Sequence, residues 1–238
     1  MKKNIFSKIS TKVFGLFKPQ YDFNRSNPLG GNGERVDILF KDGLDYKKLD
    51  MYQKSHFKRY EFARELIREN DVCGDFACGT GYGAVLISEK AGKVIGADLN
   101  EKVIAEIRDR YKDNAKVQFF SADILTLDYQ DYFDDIISFE TLEHLEEENL
   151  KKVLKIFNKA LKNNGQLFFS TPYMQEKSEN AIKLGFHLTF LIDEQKITKW
   201  LKETGFNIKF LKYQNYDTHV IKDNLKNKEF IICVATKV

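Results

Sequence analysis

With 238 residues, 42% apolar and 31% charged, the chain has the composition of one sizeable globular domain or of one domain with appendages. That excludes a charge-rich disordered chain, and no apolar run approaches the roughly 20 residues that span a bilayer. The formal charge is +3, but residues 1–20 carry five lysines and no acid, which leaves the other 218 residues at −2; a near-neutral domain argues against a general nucleic-acid binder.

In Met1 to Phe17, Ile5, Ile9, Val13 and Leu16 fall on one helical stripe, with Phe6 and Phe17 beside it and lysines mostly off it. Lys18-Pro19 stops the pattern. There is no secretory apolar core and no small-residue cleavage site. Two expectations stand for residues 1–18: peripheral contact with an anionic membrane surface or a partner, or packing on the chain's own domain. Residues 20–50, with Asn27-Pro28-Leu29-Gly30-Gly31-Asn32-Gly33, read as a turn-rich loop. The expected organisation is a leader and loop over 1–53 followed by one domain over 54–238.

From there strands and helices alternate. The pattern predicts a helix over Tyr60 to Arg68, a strand over Val72 to Ala77, a helix over Tyr82 to Ala91 and a strand over Lys93 to Asp98. A helix over Glu101 to Tyr111 follows, then strands at Val117 to Ser121 and Asp135 to Phe139. The next helix, about Glu146 to Lys162, opens with acids and closes with lysines, as the helix dipole favours. Asn163-Asn164-Gly165 ends it, Gln166 to Thr171 makes a fifth strand, and a helix over Asp193 to Glu203 stops at Gly205. Two strands close the chain near Phe206 to Tyr213 and Phe230 to Thr236. This alternation implies an α/β fold, a mostly parallel sheet between two layers of helices.

The chemistry concentrates after the first strand, in Asp75-Phe76-Ala77-Cys78-Gly79-Thr80-Gly81-Tyr82-Gly83-Ala84. Gly79, Gly81 and Ala84 fit the G-x-G-x-x-G/A dinucleotide pattern, which brings a nicotinamide oxidoreductase into consideration. Asp75 opposes it, because a carboxylate there faces the region of the pyrophosphate. Two like charges roughly 4 Å apart repel by some 4 kcal/mol at an effective dielectric near 20. A cationic ligand without phosphate, such as S-adenosylmethionine, is attracted instead. Asp98 closes the second strand, where an acid accepts ribose hydroxyls. Asp123 beside Ile124 suits an adenine amino group and ring face.

These three motifs and a fourth, Phe139-Glu140-Thr141-Leu142-Glu143-His144-Leu145 after the fourth strand, in order and spacing resemble the class I S-adenosylmethionine-dependent methyltransferases over about residues 55–237. The resemblance implies a Rossmann-like three-layer sandwich with a seven-stranded sheet in the order 3-2-1-4-5-7-6, the last strand antiparallel. It implies that Asp75, Ala77, Gly79, Gly81 and Tyr82 meet the methionine and ribose end, and that Asp98 holds the ribose. Leu99, Asp123 and Ile124 would lie at the adenine, and the backbone at Phe139 and Glu140 beside the methionine. Gly33-Glu34-Arg35 and His56 to Ala63 are similar to the lead-in of methyltransferases from bacterial surface-polysaccharide pathways; there Arg59 or Tyr60 would close over the cofactor carboxylate, or simply pack the helix.

Methyl transfer to a hydroxyl requires alignment, water exclusion and removal of a proton. His144, just beyond the fourth strand, and His187, in the long segment Tyr173 to Phe190, are the candidate catalytic bases, against alternatives as a helix-start and a lid-packing residue. Tyr173, Tyr213 and Tyr216 are candidate walls of an acceptor pocket. Cys73, Cys78 and Cys233 lack metal-ligand spacing, so no required metal is expected, and reduced thiols fit the cytoplasm. The expected acceptor is a small molecule, most simply a hydroxyl of a sugar, nucleotide-sugar or capsule precursor, or a phosphoramidate, with a quinone-type phenol as the alternative.

Overall fold

The computed structural model describes residues 35–39, 45–179 and 187–238. The basic segment 1–18, the turn-rich stretch 27–34 and residues 180–186 of the long loop lie outside them, so the expectations placed there concern undescribed residues. Val36 to Val238 form one compact unit.

Helix α1 spans Met51–Leu66 and starts well ahead of the expected Tyr60. Its signal is a capping box: Asp50 Oδ1 accepts from the Gln53 N–H at 2.8 Å, and Gln53 Oε1 accepts from the Asp50 N–H at 2.9 Å. It buries Phe57, Arg59, Tyr60 and Ala63. Strands β1 (Val72–Phe76), β2 (Lys93–Asp98) and β3 (Val117–Ser121) alternate with helices α2 (Tyr82–Ser88) and α3 (Glu101–Arg110). Then come β4 (Phe133–Phe139), α4 (Glu147–Ala160), β5 (Leu161–Pro172), α5 (Glu194–Glu203), β6 (Phe206–Gln214) and β7 (Phe230–Lys237).

The sheet order is β3-β2-β1-β4-β5-β7-β6, and β7 runs antiparallel to both neighbours. This is the expected α/β architecture. Two edges of the pattern differ. β4 and β5 begin early because Phe133 pairs with Leu161 before a register shift to Asp135 and Gln166. Asn163-Asn164-Gly165 therefore does not follow a helix end but lies inside β5, where Asn164 takes the left-handed backbone (φ 64°) that asparagine tolerates.

Period-two alternation divides the sheet's faces. Phe76, Ile95, Ala97, Ile136, Leu167 and Phe169 share a core with Leu150, Val153 and Phe157 of α4 and Ile197, Trp200 and Leu201 of α5. Asp75, Asp98 and Ser170 project to the other face, where α1 and α2 pack together and α3 packs on β3. The acidic strand ends thus open on the side that α1 covers. Among the described residues, no helix is long and apolar enough to cross a membrane.

Candidate functional site

The site sits at the carboxyl ends of β2, β1 and β4, where ligands bind in open α/β sheets. After β1 the chain turns through Ala77 (φ 63°), Gly79 (φ 52°) and Gly81 (φ 74°). Gly81 caps α2 in the left-handed conformation with no side-chain hydrogen bond to the helix start. Asp98 holds this turn in place. Its Oδ2 accepts from the Gly79 N–H and its Oδ1 from the Asn100 N–H, each at 3.0 Å.

Asp75 is fully buried at the end of β1. Its Oδ1 accepts from the Tyr60 hydroxyl at 3.0 Å, while Oδ2 makes no hydrogen bond of normal geometry. Burial pushes the carboxyl up to about 7; the Tyr60 hydrogen bond works against that shift and the nearby charge of Asp98 adds to it. Tyr60 in turn packs edge to face on Phe139, with ring centroids 5.0 Å apart. The His56 ring bonds the Tyr82 hydroxyl, and burial together with Arg59 holds that imidazole down to about 3, in its neutral form.

On the adenine side, Leu99 is 71% exposed, an apolar side chain left open directly after Asp98. Asp123 accepts from the Leu125 N–H at 2.9 Å and caps a 3-10 turn over Ile124–Thr126. Both follow neighbouring strands, since Asp98 of β2 pairs with Ser121 of β3.

Beyond β4, Glu140 adopts a left-handed backbone (φ 50°), a strained conformation for a side chain of its size. Its carboxylate accepts from the Ser170 hydroxyl at 2.7 Å and pairs with Arg59 at 3.0 Å. Arg59 is only 2% exposed; its Nε donates to Gln214 Oε1 at 2.8 Å and its guanidinium lies over the Phe230 ring at 4.0 Å. The structure therefore places Arg59 as an internal tie between α1, β6 and the Glu140 turn, in contrast to the expected arm over a ligand carboxylate. Its charge already has a partner inside the protein.

His144 and His187, distant in sequence, are brought together. Their rings meet edge to face with centroids 4.9 Å apart. Backbone bonds weld the two segments: the Leu188 and Thr189 N–H groups donate to the Glu143 carbonyl at 2.8 and 3.0 Å, and the Thr189 hydroxyl donates to the Leu145 carbonyl at 2.6 Å. His187 Nδ1 stands 2.6 Å from Gln175 Oε1. Burial, then the neighbouring His144, lower the His187 imidazole to about 4. Tyr173 and Tyr213, expected as pocket walls, both turn their hydroxyls onto Glu194, and Lys228 sits 3.6 Å over the Tyr213 ring. Tyr216 packs on Tyr52 and Phe230. These three tyrosines are engaged within the fold.

Sequence reasoning passed over Glu143, which is 1% exposed. Its place in Glu140-Thr141-Leu142-Glu143-His144 gave no sign that a 3-10 turn (Leu142–His144) would bury it.

Residues 74–165 match the model of a methyltransferase domain family. A "Probable S-adenosylmethionine-dependent methyltransferase" of Mycobacterium tuberculosis is 33% identical over 120 residues, 49% of this chain and 42% of that protein. Phosphoethanolamine N-methyltransferase of Plasmodium falciparum is 33% identical over 116 residues, 48% of this chain and 43% of its own. The chain thus spans less than half the length of these curated relatives. In fold it is similar to the N-methyltransferase NodS of Bradyrhizobium japonicum, solved with S-adenosyl-L-homocysteine, at a TM-score of 0.62 and 16% identity over 83% of this chain and 92% of that one.

Proposed function

We propose that this chain, which belongs to the class I S-adenosylmethionine-dependent methyltransferases, moves the methyl group of that cofactor onto an oxygen of a small acceptor, a sugar, nucleotide-sugar or other surface-glycan precursor. The observation that carries the reading is Asp75: a fully buried carboxylate beside the glycine turn, with one oxygen left without a normal hydrogen bond. A buried polar atom of that kind calls for a partner, and the α-amino group of the cofactor's methionine part supplies a cationic donor. A pyrophosphate would meet repulsion there, which disfavours the nicotinamide alternative.

The remaining residues fit the same group. Asp98, at the end of β2, accepts the ribose hydroxyls, and its bond from the Gly79 N–H holds the glycine turn still. Leu99 flanks one face of the adenine, and Asp123 with Ile124 takes its edge. Ala77, Gly79, Gly81 and Tyr82 form the floor, and Phe139 with the Glu140 backbone lines the methionine side, held by Arg59 and Ser170. When bound, S-adenosylmethionine supplies a methyl group on a sulfonium, a leaving group that needs no activation. The protein's own tasks are alignment, exclusion of water and relief of the acceptor's proton. The His144–His187 cluster is where that proton leaves.

The glycan acceptor rests on the likeness of the His56 to Ala63 lead-in; amine and quinone acceptors form the other arms of the test. Calorimetry with S-adenosylhomocysteine, followed by turnover against sugar nucleotides, phosphorylated amines and quinone precursors, decides among them. Transfer confined to an amine or a quinone overturns the glycan assignment. The basic segment 1–18 is proposed as a peripheral contact to membrane or partner, tested by liposome sedimentation of the full chain against one lacking those residues.

A further inference from the structure

We propose that Glu143, His144 and His187 form a site for one divalent first-row transition ion. One donor atom from each lies within 4.8 Å of the others, and His144 Nε2 stands 4.0 Å from Glu143 Oε1. Donors sharing an ion at about 2.1 Å stand roughly 3 to 3.5 Å apart, so small side-chain rotations close the set.

Three independent observations point to a cation. Glu143 is 1% exposed and neither carboxylate oxygen has a hydrogen-bond partner, although Thr171 is close by with its own hydroxyl also unpartnered. Burial pushes the Glu143 carboxyl well above the usual range, so without a bound cation it keeps its proton, and a cation that displaces the proton gains two unpartnered, buried oxygen donors. His187 Nδ1 faces the acceptor oxygen of Gln175 at 2.6 Å, which places the proton on Nδ1 and leaves Nε2 as the donor atom. An outer hydrogen bond of this kind orients metal-binding imidazoles. Finally, the Leu188 and Thr189 N–H bonds to the Glu143 carbonyl fix the two halves of the set against each other, so the arrangement is built rather than accidental.

Two imidazoles and one carboxylate select zinc, manganese, cobalt or iron(II) over calcium or magnesium. The neighbouring Glu140 is already engaged by Arg59 and Ser170 and does not complete the sphere. Positions therefore stay open, and His144, 30% exposed, lies at the accessible side of the cluster. Resting on the methyl-transfer reading, an acceptor hydroxyl fills one such position. Its O–H bond breaks with the proton passing to solvent, and the new O–C bond forms as the S–C bond of the sulfonium breaks to give the thioether. The imidazoles then act as ligands, and this explains how the cluster relieves the acceptor's proton.

The test uses the full chain stripped with chelator. Cobalt(II) is titrated with visible absorption as the readout, and zinc by calorimetry. One ion per chain is expected, with affinity falling about tenfold or more in both Glu143→Gln and His187→Ala, each checked for a wild-type circular dichroism spectrum. No cobalt band and no zinc heat in the wild-type chain overturns the site, as does undiminished, wild-type affinity in both variants. His187→Ala, at a partly exposed position, keeps the test decisive if Glu143→Gln fails to fold. S-adenosylhomocysteine binding without metal binding sinks the site and leaves the methyltransferase reading; metal binding without S-adenosylhomocysteine binding does the reverse. Equal turnover by stripped and metal-loaded chain sinks the acceptor role.

Discussion

The Tyr60 hydroxyl donates to Asp75 at 3.0 Å while its ring fills the space where a side chain at Gly83 would stand: a β-carbon there would lie 2.1 Å from the ring. Helix α1, helix α2 and the acid at the end of β1 are thus one mechanical unit. Gly83→Ala forces the ring away and strips Asp75 of its donor. Overpacking of this kind costs about 1 to 3 kcal/mol. Urea unfolding should show that loss together with weakened binding of S-adenosylhomocysteine; a variant that keeps both stability and binding contradicts the coupling.

The raised Asp75 carboxyl makes two opposed pH predictions. Unfolded, the group ionises near 4; folded, it does so at about 7. Below pH 4 both states hold the proton and its contribution to stability is complete. Between 4 and 7 only the unfolded state releases it, so stability falls as pH rises through 7 and is level above. Asp75→Asn should therefore gain stability over wild type at pH 8 and gain none at pH 4, read by thermal unfolding across that range.

Ligand binding responds the other way, because a cationic amine requires the ionised acid. The wild-type dissociation constant for S-adenosylhomocysteine should fall by about tenfold from pH 6 to pH 8. Calorimetry at pH 6.5 in buffers of different ionisation enthalpy should detect proton release. A pH-independent constant in wild type would show that Asp75 does not meet the ligand's charge.

His144→Ala and His187→Ala should each lower turnover by roughly 100-fold or more, the scale of proton handling in catalysis. Binding of S-adenosylhomocysteine should stay within a few-fold, since neither ring is among the residues proposed to hold the cofactor. If both variants lose only a few-fold in turnover, the cluster is packing and the acceptor lies elsewhere.

The Arg59–Glu140 pair joins a buried guanidinium to a half-buried carboxylate. Arg59→Met leaves the half-buried Glu140 carboxylate with its Ser170 bond but without its cation and should cost about 1 to 3 kcal/mol, while the double variant Arg59→Met, Glu140→Gln recovers part of it. A denaturation cycle measures the coupling. Additive effects would mean that the 3.0 Å contact carries no net interaction.

What could be read from the chain and what could not follows from the range of each signal. Strand and helix periodicity is local, so the seven strands, the glycine turn and the acid at Asp98 were legible. The start of α1 was missed because Asp50 and Gln53 sit in a polar stretch where only the reciprocal cap marks the helix. Arg59 reads as a free cation until β6 brings Gln214 against it, and Glu143 reads as one more surface acid until the turn after β4 buries it. The meeting of His144 with His187 depends on the loop after β5 crossing back to the Glu143 carbonyl, which no spacing encodes.

Calorimetric titration of S-adenosylhomocysteine into the wild-type chain and into Asp98→Ala tests the central claim most directly. One site per wild-type chain is expected, with at least about a tenfold loss in Asp98→Ala, since that acid holds the Gly79 turn and is the residue proposed to meet the ribose. Absence of binding to the wild-type chain, or equal affinity in the two, would contradict it.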